Sequence, residues 1–229
     1  MNMDVAMDGT FVPGEFWTPE RARDAVERMT AVMASAEFQA LITEIATAAA
    51  AGGDPAALAA QIIPSERAGA KVTHAPIEVA ACSYRRGHAG DVPDLARLVV
   101  AGELPPLFIE EFVEGFVVVE CGQEIVGCGG LEVYDGAAVI RSVVVEERAR
   151  GLGIGARIAG LLLEEARQAH VGDVYLFTMH AYDFWRRCGF VDAPLDTWKE
   201  GPRACWQYQF IAQHPEAGAE VYRMWRTVA

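Results

Sequence analysis

Residues 142–166 read SVVVEERARGLGIGARIAGLLLEEA. The valines at 143–145 favour an extended chain, the run stops at Glu146 and Glu147, and glycines follow at 151, 153 and 155. From Ile154 onward Ile158, Leu161 and Leu162 recur at helical spacing, with Arg157, Glu164 and Arg167 on the other face. The stretch therefore predicts a strand, a glycine turn and an amphipathic helix over 154–169. Glycines at such a turn let a ligand approach main-chain N–H groups, and the helix start adds the positive end of its dipole. That combination suits phosphate, and Arg148, Arg150 and Arg157 flank it. GLGIG alone is also what a plain tight turn would use.

The 229-residue chain is 52% hydrophobic, enough for a full core. Its 19 Lys and Arg against 32 Asp and Glu give a formal charge of −13. That balance argues against nucleic acid and anionic membranes as partners, because both are bound through clustered cations. No apolar run approaches the roughly 20 residues of a membrane span. The first residues, MNMDVAMDGTFVPGEF, carry acids where a secretory leader carries Lys or Arg, so a cytoplasmic protein is expected. The five cysteines contain no CxxC pair and are odd in number, which predicts reduced thiols. The five histidines lack zinc-type spacing, so no metal is expected.

Upstream, TPERARDAVERMTAVMAS (18–35) predicts a helix capped by Thr18 with Pro19 in its first turn and Ala22, Val26, Met29 and Met33 on one face. A second helix runs from Ser35, with Phe38, Leu41, Ile42, Ile45 and Ala49 as its stripe, to Gly52-Gly53; a short third is capped by Asp54-Pro55 and ends before Pro64. The expected organisation is a helical extension over 1–70, a linker over 71–78 and a main domain over 79–229. In the main domain strand and helix signals mix: a strand at 79–85, a helix at 91–102, a short helix or turn at 105–112, and a hairpin at 115–134 turning at Gly122-Gln123. A strand at 137–147 leads into the glycine turn. After its helix come a strand at 173–179, a helix over 181–188 ended by Gly189, and final strands in 189–191 and 220–228. The aromatic stretch 195–218 shows no period.

Arg150-x-x-Gly153-x-Gly155 matches the Arg/Gln-x-x-Gly-x-Gly/Ala signature of the GNAT superfamily of acyl-CoA-dependent N-acyltransferases. One helix and one strand later, Ala181-Tyr-Asp-Phe184-Trp185-Arg-Arg-Cys-Gly189-Phe190 resembles that superfamily's Ala-x-x-Phe-Tyr-x-x-x-Gly-Phe. The resemblance covers residues 79–229. Within it, VGCGGLEVYDGAAVIRSVVV (126–145) is similar to the central strands of short N-acetylglutamate synthases and arsenic-resistance N-acetyltransferases. The implied fold is α/β (α+β): a mixed, mostly antiparallel sheet with flanking helices, here with the helical extension added.

The resemblance also implies a mechanism. Acetyl-CoA would enter where two strands part, its pantetheine arm pairing with Val143, Val144 and Val145 and its pyrophosphate resting on Arg150, Gly151, Leu152, Gly153, Ile154 and Gly155, with Phe184 nearby. The amine of a small amino-acid-like substrate would attack the thioester directly, so proximity is the main catalytic device, and a main-chain N–H near Val144 would stabilise the oxyanion. Glu132 and His180 are the candidate bases. Trp185 stands where many relatives place an acidic Tyr, and Tyr182 is the candidate replacement. Arg141, on a strand that should be buried, needs an anion: either Glu132 across the hairpin or a substrate carboxylate, in which case Arg141, Glu132 and Trp206 shape the acceptor site. Trp198, Trp206, Tyr208, Phe210 and Trp225 are further candidates for that pocket. The N-terminal helices read as a cover, a homodimer contact or a docking element for a protein or peptide substrate, and loss of the Tyr leaves open a non-catalytic acyl-CoA-binding module.

Overall fold

The computed structural model describes residues 11, 13, 16–51, 77–215 and 218–228. Helix α1 (Pro19–Met33) begins where Thr18 accepts the Arg21 N–H, as its predicted cap, and α2 (Ala36–Ala50) begins where the Ser35 hydroxyl accepts the Phe38 N–H. The third helix expected over 54–64, and the linker up to residue 76, lie outside the described residues. Strands β1 (Cys82–Arg86), β2 (Phe116–Cys121), β3 (Glu124–Tyr134), β4 (Ala137–Val145), β5 (Asp173–Thr178), β6 (Val191–Asp192) and β7 (Tyr222–Thr227) form one sheet in the order β1-β2-β3-β4-β5-β7-β6. Every pairing is antiparallel except β4 with β5. The mixed α/β architecture expected from the resemblance is therefore present.

Helix α3 (Val92–Ala101) and the short α4 (Ile109–Phe112) lie between β1 and β2 in the chain. Helix α5 (Ile154–Gln168) follows the glycine turn, α6 (Tyr182–Arg187) follows β5, and α7 (Trp206–Gln213) precedes β7. The aromatic stretch that showed no period thus contains a helix: the opening of α7, WQYQF, alternates aromatic and glutamine residues, which hides an apolar stripe at helical spacing. Helix α5 packs on β2, β3 and β4 through Ile158 and Leu162, both fully buried. Helix α3 takes the other face, its following Gly102 lying against the Val144 side chain.

The N-terminal helices share the core of the sheet. Met29 is fully buried, Trp17 lies 6.3 Å from the Phe112 ring, Phe38 lies 5.1 Å from Phe108, and Arg28 donates to the Glu111 carbonyl. One expectation is corrected. Cys82 and Cys121 are directly opposed in the β1–β2 register, with Cα atoms 4.1 Å apart, and are joined as a disulfide; a pairing 39 residues apart in sequence leaves no local spacing to read. Cys128, Cys188 and Cys205 are free thiols. Among the described residues no helix is long and apolar enough to cross a membrane.

Because α1 belongs to the common core, Met29→Ala should lower the stability of the whole protein by about 2–5 kcal/mol. Chemical denaturation followed by Trp fluorescence should show one transition at reduced midpoint; a separate early transition with the main one unmoved would mean that the helices are energetically independent.

Candidate active site

The β4–β5 ladder runs from Ala137 opposite Asp173 to Ile140 opposite Leu176 and stops. Beyond it Arg141–Val145 and Phe177–Thr178 diverge, opening a wedge between parallel strands. On the other edge of β4 a bulge intervenes: Cys128 faces Val144 and Gly130 faces Arg141, so Ser142 and Val143 together oppose Gly129. Ser142 adopts φ +51°, rare for a residue other than glycine. Gly129 is required there, since a Cβ would stand 2.9 Å from Val143 Cγ2 and 2.7 Å from Ile158 Cγ2. The bulge also resets the alternation of side chains, which puts Arg141 and Val144, three residues apart, on the α3 face.

The glycine turn lies at the end of β4. Gly151 and Gly153 have φ +78° and +83°, values that side-chain-bearing residues resist, and among the described residues nothing crowds either position. Their conformation turns the chain into α5 and leaves the main-chain N–H groups of Gly151, Leu152, Gly153, Ile154 and Gly155 without partners among the described hydrogen bonds. Gly155 has Phe184 ring atoms 3.8 Å from where its Cβ would be, so the second motif closes against the first. Arg150 is exposed beside this row and spends its Nε–H on the Val145 carbonyl. Arg148 is engaged by Glu146 at 2.7 Å and Glu124 at 2.6 Å. A diphosphate fits this set of donors.

The phase of the ladder corrects one expectation. Glu146 N–H donates to the Val126 carbonyl, and main-chain polar groups alternate along a strand, so the N–H of Val144 also turns toward β3 and away from the wedge. Val145 is the residue whose main-chain groups face outward, as its bond from Arg150 confirms. Val144 contributes a buried side chain instead.

Glu132 and Arg141 resolve into partners. Arg141 Nη1 lies 2.7 Å from Glu132 Oε1, with both side chains essentially sealed from solvent. Arg141 Nη2 donates to the Leu107 carbonyl and Nε to Ser142 Oγ at 3.3 Å. The second Glu132 oxygen accepts the Tyr134 hydroxyl at 2.6 Å, and burial together with that carboxylate pushes the Tyr134 phenol well above its usual range. Burial likewise pushes the neighbouring Cys128 thiol up to about 12. Glu132 is thus a buried counter-ion with no path to a substrate proton, a correction to its expected roles as base and acceptor contact. Arg141 has a protein acceptor on every nitrogen, so the internal ion pair, one of its two readings, is the one realised.

A cavity of about 260 Å³ fills the wedge. Arg141, Ser142 and Val143 line it from β4, Phe177 and Thr178 from β5, and His180 stands at its rim. The His180 side chain is 67% exposed and its Nε2 lies 3.6 Å from Glu103 Oε2. Tyr182 donates to Asp192 at 3.1 Å and stacks on Tyr222, 4.5 Å between centroids; partial desolvation and that carboxylate raise its phenol pKa. It does not line the cavity. Trp185, buried, does. Of the five aromatic candidates Trp206 and Phe210 reach the cavity, whereas Trp198 is core and bonds the Ala193 carbonyl. Ile42 and Ile45 of α2 and Gln207 of α7 also line it, and sequence reading had no signal for these because they meet only in the fold.

An acetyltransferase (GNAT) family model matches residues 89–190. The amino-acid acetyltransferase of Mycobacterium tuberculosis is 33% identical over 118 residues, which cover 47% of this chain and 67% of that protein. The [citrate [pro-3S]-lyase] ligase of Escherichia coli is 28% identical over 85 residues, 37% of this chain and 23% of the ligase. N-acetylglutamate synthase from Neisseria gonorrhoeae, solved with coenzyme A and N-acetyl-glutamate, superposes with a TM-score of 0.56 at 20% identity over 66% of this chain and 36% of the synthase. The chain thus spans about a quarter of the ligase and about a third of the synthase. The parted strands, the glycine turn and these likenesses agree: the chain belongs to the GNAT acetyltransferase family, the acyl-CoA-dependent N-acyltransferases.

Proposed function

We propose that this protein transfers the acetyl group of acetyl-CoA to the amine of a small molecule by direct attack. The observation that carries the reading is the wedge between β4 and β5 opening beside a row of unpartnered N–H groups at Gly151–Gly155. A diphosphate held on that row, with Arg150 alongside, sends the pantetheine arm into the wedge along the outward-facing main chain of Val145, and the thioester comes to lie in the cavity. The acceptor amine then needs to be held against it, which removes most of the entropic barrier without a covalent enzyme intermediate.

An ammonium must lose a proton before it can attack. With Glu132 sealed, His180 is the base candidate that faces the cavity, its Nε2 3.6 Å from Glu103 Oε2. Trp185 offers no acidic proton, and Tyr182 is turned to Asp192, so the departing thiolate takes its proton from solvent or from the attacking nitrogen. The donor acetyl-CoA agrees with the coenzyme A bound by the gonococcal synthase, and an amino-acid-like acceptor agrees with the name of the mycobacterial relative.

Gly153→Glu places a side chain on a residue at φ +83° and a negative charge where the diphosphate would rest. Calorimetric titration should show acetyl-CoA affinity reduced by at least about tenfold, the scale of losing one charge-assisted contact; undiminished affinity would refute the phosphate site. His180→Gln should lower kcat by about 100-fold, the lower end for a general base, with acetyl-CoA affinity retained, as read by thiol release at saturating donor. An unchanged kcat would remove His180 from the mechanism.

A further inference from the structure

The cavity has two walls of different origin. Its β4 and β5 side, where the acyl arm enters, lies within the stretch that matches the family; its far side is made by Ile42 and Ile45 of α2 and by Trp206, Gln207, Phe210 and Ile211 of α7, all outside residues 89–190. That far side is apolar. The ionisable groups on the lining are Glu103, Arg141 and His180. Arg141 is held by Glu132, Leu107 and Ser142, so a substrate carboxylate could claim it only by stranding Glu132, which is fully buried. His180 already faces Glu103. Among the described residues no cation on the lining is therefore free to receive an acidic substrate.

Apart from the Gln207 amide, the side chains of this wall, Ile42, Ile45, Trp206, Phe210 and Ile211, offer a substrate apolar contact and no charge.

We propose that the acceptor is a hydrophobic amine, its aromatic or branched-alkyl body packed between α2 and α7, rather than an acidic amino acid. The inference rests on the acetyltransferase reading and specifies its substrate class. In the reaction the nitrogen lone pair forms the new C–N bond, the thioester C–S bond breaks with its electron pair on sulfur, and the amine's surplus proton leaves so that the products are the N-acetyl amide and the coenzyme A thiol.

The test is thiol release from acetyl-CoA by the full chain with phenylalaninamide, leucinamide, phenylethylamine, glutamate and aspartate, run beside calorimetric titration of acetyl-CoA. The expected result is a kcat/KM for the two amides at least about 100-fold above that for glutamate, the scale set by an unmet charge in a closed pocket. Ile45→Glu should erode the preference for hydrophobic amines over glutamate. Glutamate or aspartate turned over as well as the amides would overturn the inference and leave the acetyltransferase reading standing, as would turnover of no hydrophobic amine while acetyl-CoA still binds. Absence of both acetyl-CoA binding and turnover would remove the two together.

Discussion

The cleft exists because two parallel strands cease to pair. Up to Ile140 and Leu176 the β4–β5 ladder is ordinary; past that point the main chain of β4 has a neighbour on one side only. Unpaired strand edges inside a fold are costly unless something satisfies them. Here the edge is kept open by what flanks it: the bulge at Ser142 and Val143 twists β4 away, and Arg141 ties the strand to the Leu107 carbonyl in the loop between α3 and α4. The Glu132–Arg141 pair is therefore best understood as a brace under the cleft floor. Its charges cancel, its remaining oxygen is met by Tyr134, and its burial gives the floor one geometry in place of several.

Electrostatics follow the same economy. On the proposed reading a chain of formal charge −13 receives a polyanion on a local set of donors. Arg148 is neutralised by two glutamates, which leaves main-chain N–H groups and exposed Arg150 as the local donors. Fixed dipoles suit this task because they do not require the protein's net charge to change, and their reach is short enough that the acidic remainder is screened from the ligand.

Much of this was legible in the residues. The cap at Thr18, the start of a helix after Ser35, the helix after the glycine turn and the hairpin at Gly122-Gln123 follow from local chemistry, which survives being read one residue at a time. The remainder depends on register. Nothing in RSVVV distinguishes a bulge from a straight strand, and the one-residue offset it introduces is what turns the Val144 N–H toward β3. Arg141 announced that it needed an anion but not which one, because the choice is made by where Glu132 falls on the neighbouring strand. The Cys82–Cys121 bond and the meeting of Ile42 with Trp206 at one cavity are consequences of sheet order, invisible to any window along the chain.

The position of α2 separates two kinds of change open to this molecule. On the proposed reading, donor recognition is written in the turn and the parted strands, where a substitution threatens both the fold and the nucleotide. Acceptor recognition, on the same reading, is written partly on a helix near the amino end, whose Ile42 and Ile45 line the cavity. Selectivity can thus drift by mutation of a few aliphatic side chains while the transfer chemistry stays intact, which makes that helix the natural place to retune the protein toward new amines.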